Sequence, residues 1–219
     1  MQPLADCRLY AFIDLAYLNG RAPEELARQL GDGGADVVQL RAKNLGVDEV
    51  RRLADRIAPL VARTGTWFVV NDHLDAAIQC GAPICHLGQE DFFEAGHRHV
   101  DELPGRSLVS GIAPVQIGLS SHAPEQAERA VQAGAVYVAV GPVFATPTKP
   151  GRPPVTLEYV RWAAAHVTIP WFAIGGIHLG NLDEILAAGA QRICVVSALL
   201  NAPSVPQACR EFRRRLGCA

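Results

Sequence analysis

The strongest constraint on the fold of this chain is an internal repeat, in which a helical stretch ends at Gly-Ala and an apolar run follows. The repeat occurs four times: Gly34-Ala35 before VVQLR, Gly81-Ala82 before ICHLG, Gly134-Ala135 before YVAVG and Gly189-Ala190 before RICVVS. Successive copies are 47, 53 and 55 residues apart, which suits two strand–helix units each. Glycine after a helix supplies a left-handed cap, and a continuous apolar run is typical of a strand buried on both faces. The repeat therefore predicts alternating strands and helices around a parallel sheet.

Eight strands complete this scheme. We predict them at Leu9–Asp14, Val37–Arg41, Trp67–Asp72, Ile84–Gly88, Gln116–Ser121, Tyr137–Val143, Trp171–Gly176 and Arg192–Ser197. Three-to-four spacing of apolar residues predicts helices at Glu24–Leu30, Val47–Ala62, Pro124–Gln132, Leu157–Ala165, Leu182–Ala187 and Pro206–Leu216. The pattern indicates one α/β domain over residues 1–219, a single TIM-type (β/α)8 barrel. An open, doubly wound sheet is the alternative.

A longer segment at about 92–115 separates strands 4 and 5 and interrupts the regular alternation. We expect a helix and extra loop there. The run LVSGIAP at 108–114 competes with 116–121 for the fifth strand.

Composition narrows the function classes. The net charge of −2 argues against a nucleic-acid binder, and we find no apolar run of the ~18 residues that a membrane span needs. The first residues do not resemble a signal peptide. Six scattered cysteines without a C-x-x-C pair suggest reduced, mostly buried thiols rather than disulfides or zinc ligands. We therefore expect a cytoplasmic enzyme that acts on small molecules.

Polar residues gather where strands 2, 3 and 4 end, which is where barrel enzymes place their chemistry. Alternation puts Gln39, Arg41 and Lys43 on one side of strand 2, where two cations suit a multiply charged anion. Asp72 and Asp91 follow strands 3 and 4, and a magnesium ion that bridges them to a diphosphate would explain carboxylates beside cations. A solvated strand end for the cations and a helix N-cap for Asp72 are the alternatives.

The remaining strand ends suggest a second anion site. Gly176 after strand 7 and Ser197 after strand 8 occupy the place of the usual phosphate site of these barrels. Thr146, Thr148 and Lys149 lie on a proline-rich loop after strand 6, which is either a lid over phosphate or a surface turn. A serine next to His122, as in Ser120-Ser121-His122, resembles a nucleophile with its base. We discount this interpretation because adjacent residues on a strand face opposite sides.

Read in order, seven short motifs resemble the thiamine phosphate synthase family over about Leu9 to Leu200. They are VQLRAK, VNDHLDAA, HLGQED, GLSSH, GPVFATPTK, AIGGI and VVSAL. The resemblance implies an α/β barrel transferase of thiamine biosynthesis with Mg²⁺ as cofactor, and a homodimer. It also implies condensation of hydroxymethylpyrimidine diphosphate with hydroxyethylthiazole phosphate, giving thiamine phosphate and pyrophosphate.

The resemblance also implies a role for each matching residue. Contacts to the pyrimidine diphosphate fall on Gln39, Arg41, Lys43, Asn71 and Ser120, and contacts to the thiazole phosphate on Thr146, Thr148, Gly176, Val196 and Ser197. Asp72 and Asp91 match the magnesium ligands, and Lys149 matches a pyrophosphate contact. The implied mechanism is dissociative, with Arg41, Lys43, Lys149 and Ser120 as the catalytic set.

Two departures and two rival functions remain. Ala42 stands where the family commonly has an acidic residue, and the segment from about Gly96 to Pro114 is longer than usual, which bears on Asp91. The rivals are a metal-independent thiazole tautomerase, with His122 as its acid–base group, and a non-catalytic binder of thiamine precursors.

Overall fold

Eight parallel strands close into a barrel in the computed structural model, which describes residues 1–105, 113–146, 151 and 153–218. The strands are β1 Leu9–Asp14, β2 Val37–Arg41, β3 Trp67–Asn71, β4 Ile84–Leu87, β5 Gln116–Ser121, β6 Tyr137–Val140, β7 Trp171–Ile174 and β8 Ile193–Val195. Each strand pairs in parallel with its neighbour in the chain, and β1 pairs with β8 to close the sheet. The predicted TIM-type barrel is confirmed, and the open doubly wound sheet is wrong.

Helices follow the strands. They are α1 Pro23–Asp32, α2 Val47–Ala62, α3 Leu74–Cys80, α4 Gln89–Glu94, α5 Pro124–Gln132, α6 Thr156–His166, α7 Leu182–Ala187, α8 Ser197–Leu200 and α9 Val205–Arg215. Short 3-10 turns lie at Leu4–Asp6, Leu15–Tyr17 and Val100–Glu102. The last of these and the end of α4 are the helical pieces in the described part of the long segment. Most of the rival strand at 108–114 lies outside the described residues.

Several strands end one to three residues earlier than predicted. β3 stops at Asn71 because Asp72 turns into the left-handed region at φ 67°, and β7 stops at Ile174 because Gly175 has φ 105°. These turns follow directly on the last paired residues. They direct the chain over the carboxyl end of the barrel, so the mismatch in strand bounds falls where a ligand site is expected.

The core has two parts because the strands are buried on both faces. An outer layer packs the helices against the sheet. A smaller cluster fills the barrel itself, and its buried members are Leu4, Cys7, Tyr10, Phe12, Val37, Val69, Ile84, Tyr137, Phe172 and Cys194. Tyr10, Tyr137 and Phe172 of this inner cluster pack edge to face with one another, and Phe12 stacks on Tyr10.

A buried ion pair closes the amino-terminal end of the barrel. Asp36 accepts hydrogen bonds from the backbone N–H groups of Arg8 and Leu9, and it pairs with Arg213 of α9 at 2.6 Å. This cluster ties the first strand to the last helix. No helix in the described part of the chain is long and apolar enough to cross a membrane.

Candidate active site

A cavity of about 490 Å³ opens at the carboxyl ends of the strands. Its volume lies in the range of small-molecule sites. The predicted site residues that line it are Gln39, Arg41, Lys43, Asn71, Asp72, Asp91, Ser120, Thr146, Gly176, Val196 and Ser197. The fold therefore brings together strand ends that are far apart in sequence. The predicted contacts Thr148 and Lys149 lie outside the described residues.

The two cations of β2 have carboxylate partners on the flanking strand ends. Arg41 Nη1 donates to Asp14 Oδ2 at 2.8 Å, and the register of β1 and β2 places these residues side by side. Lys43 Nζ lies 2.5 Å from Asp72 Oδ2. Asp14 is almost fully buried, whereas half of the Lys43 side chain is exposed. Arg41 is therefore a fixed cation and Lys43 a more mobile one.

Asp72 adopts an uncommon backbone conformation at the end of β3. It has φ 67°, a region that non-glycine residues seldom occupy. Its N–H donates to the carbonyl of His86 on β4, which holds the turn in place. The N-cap of α3 is His73, and it makes no side-chain capping bond. The alternative that Asp72 caps this helix is therefore wrong, and its carboxylate is available to the cavity.

A second carboxylate enters from the turn between β4 and α4. Asp91 is on the first turn of α4, and a Cβ at Gly88 would lie 2.5 Å from Asp91 Oδ2. Glycine at this position is what allows the carboxylate to sit against the backbone. Glu90 of the same turn lies 3.7 Å from His122 Nε2, and both residues line the cavity.

Ser120 and His122 are held by separate contacts. The Ser120 hydroxyl accepts from the backbone N–H of Gln89 at 3.1 Å. The His122 ring nitrogen Nδ1 lies against the carbonyl of Gly141, an acceptor, so this nitrogen carries the proton. Each residue thus has a partner of its own, and the role of Ser120 at the pyrimidine substrate stays a prediction.

The opposite wall is formed by backbone. Gly175 and Gly176 have φ 105° and 65°, and a Cβ at Gly175 would lie 2.4 Å from Pro142. Asn181 Nδ2 donates to the carbonyl of Gly176 and holds the turn. Ser197 begins α8 directly after β8. The two glycines thus let this backbone pack closely against the chain after β6, and the phosphate site at this wall stays a prediction.

The floor of the cavity is a buried hydrogen-bonded chain that the sequence analysis missed. Gln39 Nε2 donates to Tyr10 Oη at 2.7 Å, Tyr10 Oη lies 2.9 Å from Tyr137 Oη, and Tyr137 Oη lies 2.9 Å from His86 Nδ1. Burial raises the pKa of Tyr10 and of Tyr137 well above the usual value, so both phenols stay protonated. Strand alternation is the sequence signal that could have placed Tyr10 inside the barrel, since Tyr10, Phe12 and Asp14 share the inward side of β1.

The oxygen donors fit magnesium. Asp72 and Asp91 offer hard carboxylate oxygens to one cavity, with Glu90 nearby, and Mg²⁺ binds one or two carboxylates together with phosphate oxygens. In the described part of the chain no three His, Cys, Asp or Glu side chains form a ready metal cage. The remaining ligands would therefore come from a diphosphate and water.

Comparison with known proteins decides the family. The family model described as thiamine monophosphate synthase matches residues 9–199. The chain belongs to the thiamine monophosphate synthase family. A curated thiamine-phosphate synthase of Thermus thermophilus is 48% identical over 185 residues, with 84% of each chain covered. That of Acidothermus cellulolyticus is 46% identical over 221 residues, covering 99% of this chain and 98% of its own.

A solved structure agrees with this membership. The thiamine phosphate pyrophosphorylase from Pyrococcus furiosus superposes with a TM-score of 0.80 at 28% identity, covering 99% of this chain and 98% of that one. Membership in the family makes this chain a transferase of thiamine biosynthesis that forms thiamine phosphate. Each of the seven sequence motifs contributes described residues to the lining of the cavity.

Proposed function

We propose that this cavity is where the enzyme condenses hydroxymethylpyrimidine diphosphate with hydroxyethylthiazole phosphate, releasing pyrophosphate. The observation that carries the proposal is the convergence of Arg41, Lys43, Asp72 and Asp91 on one rim of a single cavity. Two cations beside two carboxylates suit a metal-bound diphosphate. The glycine wall at Gly175 and Gly176 lies across the cavity and suits the phosphate of the thiazole.

Mg²⁺ would be held by Asp72 and Asp91, where it would neutralise the negative charge on the diphosphate oxygens. Arg41, fixed by Asp14, directs its remaining N–H groups at the leaving pyrophosphate. Lys43 gives up Asp72 as its partner and moves to the phosphate oxygens. Lys43 and Lys149 are the two lysines of the chain, whose other basic residues are arginines, and both fall at proposed pyrophosphate contacts.

The chemistry is dissociative in this proposal. The carbon–oxygen bond to pyrophosphate breaks first, the aminopyrimidine stabilises the resulting cation, and the thiazole nitrogen then attacks. Catalysis consists of stabilising the charge on the leaving group and of holding the two rings together. Gln39, Asn71 and Ser120 would bind the pyrimidine side, whereas Thr146, Thr148, Gly176, Val196 and Ser197 would bind the thiazole phosphate.

We also propose a cellular compartment and binding partners for the enzyme. All six cysteines lie in the described part of the chain and are free, and four of them are buried. Free thiols suit the reducing cytoplasm. The partners would be the two small phosphorylated substrates and, by family resemblance alone, a second copy of the chain in a homodimer.

The test is thiamine phosphate formation and pyrophosphate release by the purified enzyme, with both substrates and with each omitted. We expect both products only with both substrates and Mg²⁺, and loss of both products with EDTA. Asp72→Asn and Arg41→Met should each reduce the rate at least a hundredfold. Arg213→Met is the matched control, because Arg213 pairs with Asp36 at the other end of the barrel. Undiminished product with EDTA, or full activity in both site variants, would contradict the proposal.

A further inference from the structure

In the buried hydrogen-bonded chain on the cavity floor, the donor and acceptor of each bond follow from the number of protons that each group carries. Tyr10 is 1% exposed, so its hydroxyl proton needs a partner inside the protein. The Gln39 amide N–H already donates to Tyr10 Oη, so this oxygen acts as an acceptor there. The partner within reach of the Tyr10 proton is Tyr137 Oη at 2.9 Å. Tyr10 therefore donates to Tyr137.

The same count fixes the next bond. Tyr137 is fully buried and accepts from Tyr10, so its own proton must go to another acceptor. His86 Nδ1 lies 2.9 Å from Tyr137 Oη, and the imidazole stacks on the phenol ring at 13° between planes. Tyr137 therefore donates to His86 Nδ1. A neutral imidazole that accepts at Nδ1 carries its proton at Nε2.

We propose that Tyr10 and Tyr137 are positioning residues that hold His86 as the neutral Nε2–H tautomer, whose N–H is a donor to a ring nitrogen of the pyrimidine substrate. His86 lines the cavity beside Gln39 and Ser120, which places this donor on the side given to the pyrimidine. Ring nitrogens of an aminopyrimidine are hydrogen-bond acceptors, so a fixed donor selects for them. The role in recognition rests on the proposed function of the cavity.

The packing around the chain supports a positioning role. Phe172 packs against both phenols, with ring centroids 5.2 Å from Tyr10 and 5.5 Å from Tyr137, and Phe12 stacks on Tyr10 at 5.2 Å. This packing restricts rotation of the phenols. Gly118 faces Tyr137 across β5 and β6, and a Cβ there would lie 2.2 Å from the phenol ring. The orientation of Tyr137, and through it that of His86, is therefore set before substrate binds.

The tautomer is read directly by ¹⁵N NMR of the histidine-labelled enzyme without substrate, with the His86 signals assigned through His86→Gln. We expect wild-type His86 to carry its proton at Nε2, and Tyr137→Phe to give a mixture of tautomers. The matched control is Tyr159→Phe. Tyr159 is also a buried tyrosine that donates from its hydroxyl, but its partners are Ser121 and Ala123 rather than cavity residues. Tyr159→Phe should leave the His86 signals unchanged.

Steady-state kinetics test the consequence for recognition. Losing the Tyr137 hydroxyl frees the imidazole to rotate and to change tautomer, so we expect the KM for the pyrimidine diphosphate to rise about five- to tenfold in Tyr137→Phe. The KM for the thiazole phosphate should stay within twofold. Tyr159→Phe should leave both values within twofold, although it removes a buried hydroxyl as well.

Two results would overturn the proposal. A wild-type His86 protonated at Nδ1 would show that the chain runs in the opposite direction, whatever the cavity binds. An unchanged KM for the pyrimidine diphosphate in Tyr137→Phe would refute the role in recognition. In the second case the response of Asp72→Asn and Arg41→Met shows separately whether the proposed function of the cavity holds.

Discussion

Single side chains in this site act through the partners that orient them, and Asp14 is the clearest example. Its carboxylate accepts from the N–H of Ala16 at 3.0 Å and from Arg41 at 2.8 Å. A buried anion beside the proposed diphosphate site would oppose binding of the diphosphate unless a cation neutralised its charge. The ion pair neutralises Asp14 and fixes the orientation of the planar guanidinium, as bidentate recognition of phosphate needs.

Replacing Asp14 should therefore harm catalysis through Arg41. We expect Asp14→Asn to reduce kcat/KM for the pyrimidine diphosphate about tenfold or more, because Arg41 loses the charged partner that aims it. The matched control is Asp36→Asn, which also removes a buried carboxylate paired with an arginine but lies at the amino-terminal end of the barrel. Both variants should lose stability in urea unfolding. Equal kcat/KM in the two variants would show that Asp14 serves the fold alone.

At the scale of strands and turns, close approaches of backbone to side chains position the site. The ring of Tyr137 on β6 lies over Gly118 of the neighbouring strand β5. A methyl group there would meet ring carbon Cζ at 2.2 Å, far inside van der Waals contact. The absence of a side chain on one strand thus makes room for a large one on the next.

We expect Gly118→Ala to lower the free energy of unfolding by ~1–3 kcal/mol, the usual cost of overpacking a core. It should also disturb the ¹⁵N signals of His86, because Tyr137 must move. Gly46→Ala is the control, since its nearest neighbour to a Cβ is a Glu49 oxygen at 3.8 Å. Urea unfolding of both variants checks the prediction. Equal stability in the two alanine variants would mean that the ring finds other space at no cost.

The sequence predicts these elements well where hydrophobic pattern decides them. Four of the eight strands, β2, β4, β6 and β8, fall where an apolar run follows Gly-Ala, and β1, β2 and β5 have the predicted bounds. The short helices α4 and α8 were missed because each begins two residues after the end of a strand, where the apolar run of the strand obscures the change of period. Strand ends were placed too late at Asp72 and Gly175, since a left-handed turn depends on tertiary contacts that pattern does not show.

The sequence likewise predicts one part of the candidate site and misses another. Alternation along VQLRAK placed Gln39, Arg41 and Lys43 on one side, and all three line the cavity. The floor formed by Tyr10, Tyr137 and His86 was missed because these residues come from three strands, β1, β6 and β4, that meet only across the barrel. Tyrosine in an apolar strand reads as core, and only closure of the barrel brings the two phenols within 2.9 Å.

For the molecule as a whole, buried thiols link stability to alkaline pH. Burial raises the pKa of Cys7 and of Cys80 to about 11, and that of Cys209 to about 12. Cys85 and Cys194 shift in the same direction for the same reason. The folded protein therefore keeps these protons at a pH where the unfolded chain, with ordinary thiols near pKa 9, has lost them.

Stability should accordingly be independent of these thiols below about pH 8.5 and should fall as the pH rises from about 9 to 11. Each buried thiol contributes at most ~1.4 kcal/mol per pH unit to the decline. Urea unfolding under reducing conditions at several pH values measures the slope, and Cys209→Ala should make it shallower. A free energy of unfolding that stays constant from pH 8 to 10.5 would refute this linkage.

In the proposed function, a metal-bound diphosphate would lie between the ends of β2, β3 and β4. The most direct test is the binding of Mn²⁺, as a paramagnetic substitute for Mg²⁺, measured by electron paramagnetic resonance with and without pyrophosphate. We predict one Mn²⁺ per chain, bound tightly only when pyrophosphate is present. Asp72→Asn and Asp91→Asn should each weaken that binding at least tenfold, whereas Asp36→Asn should not. Binding that is equally tight in all three variants, or that ignores pyrophosphate, would contradict the account.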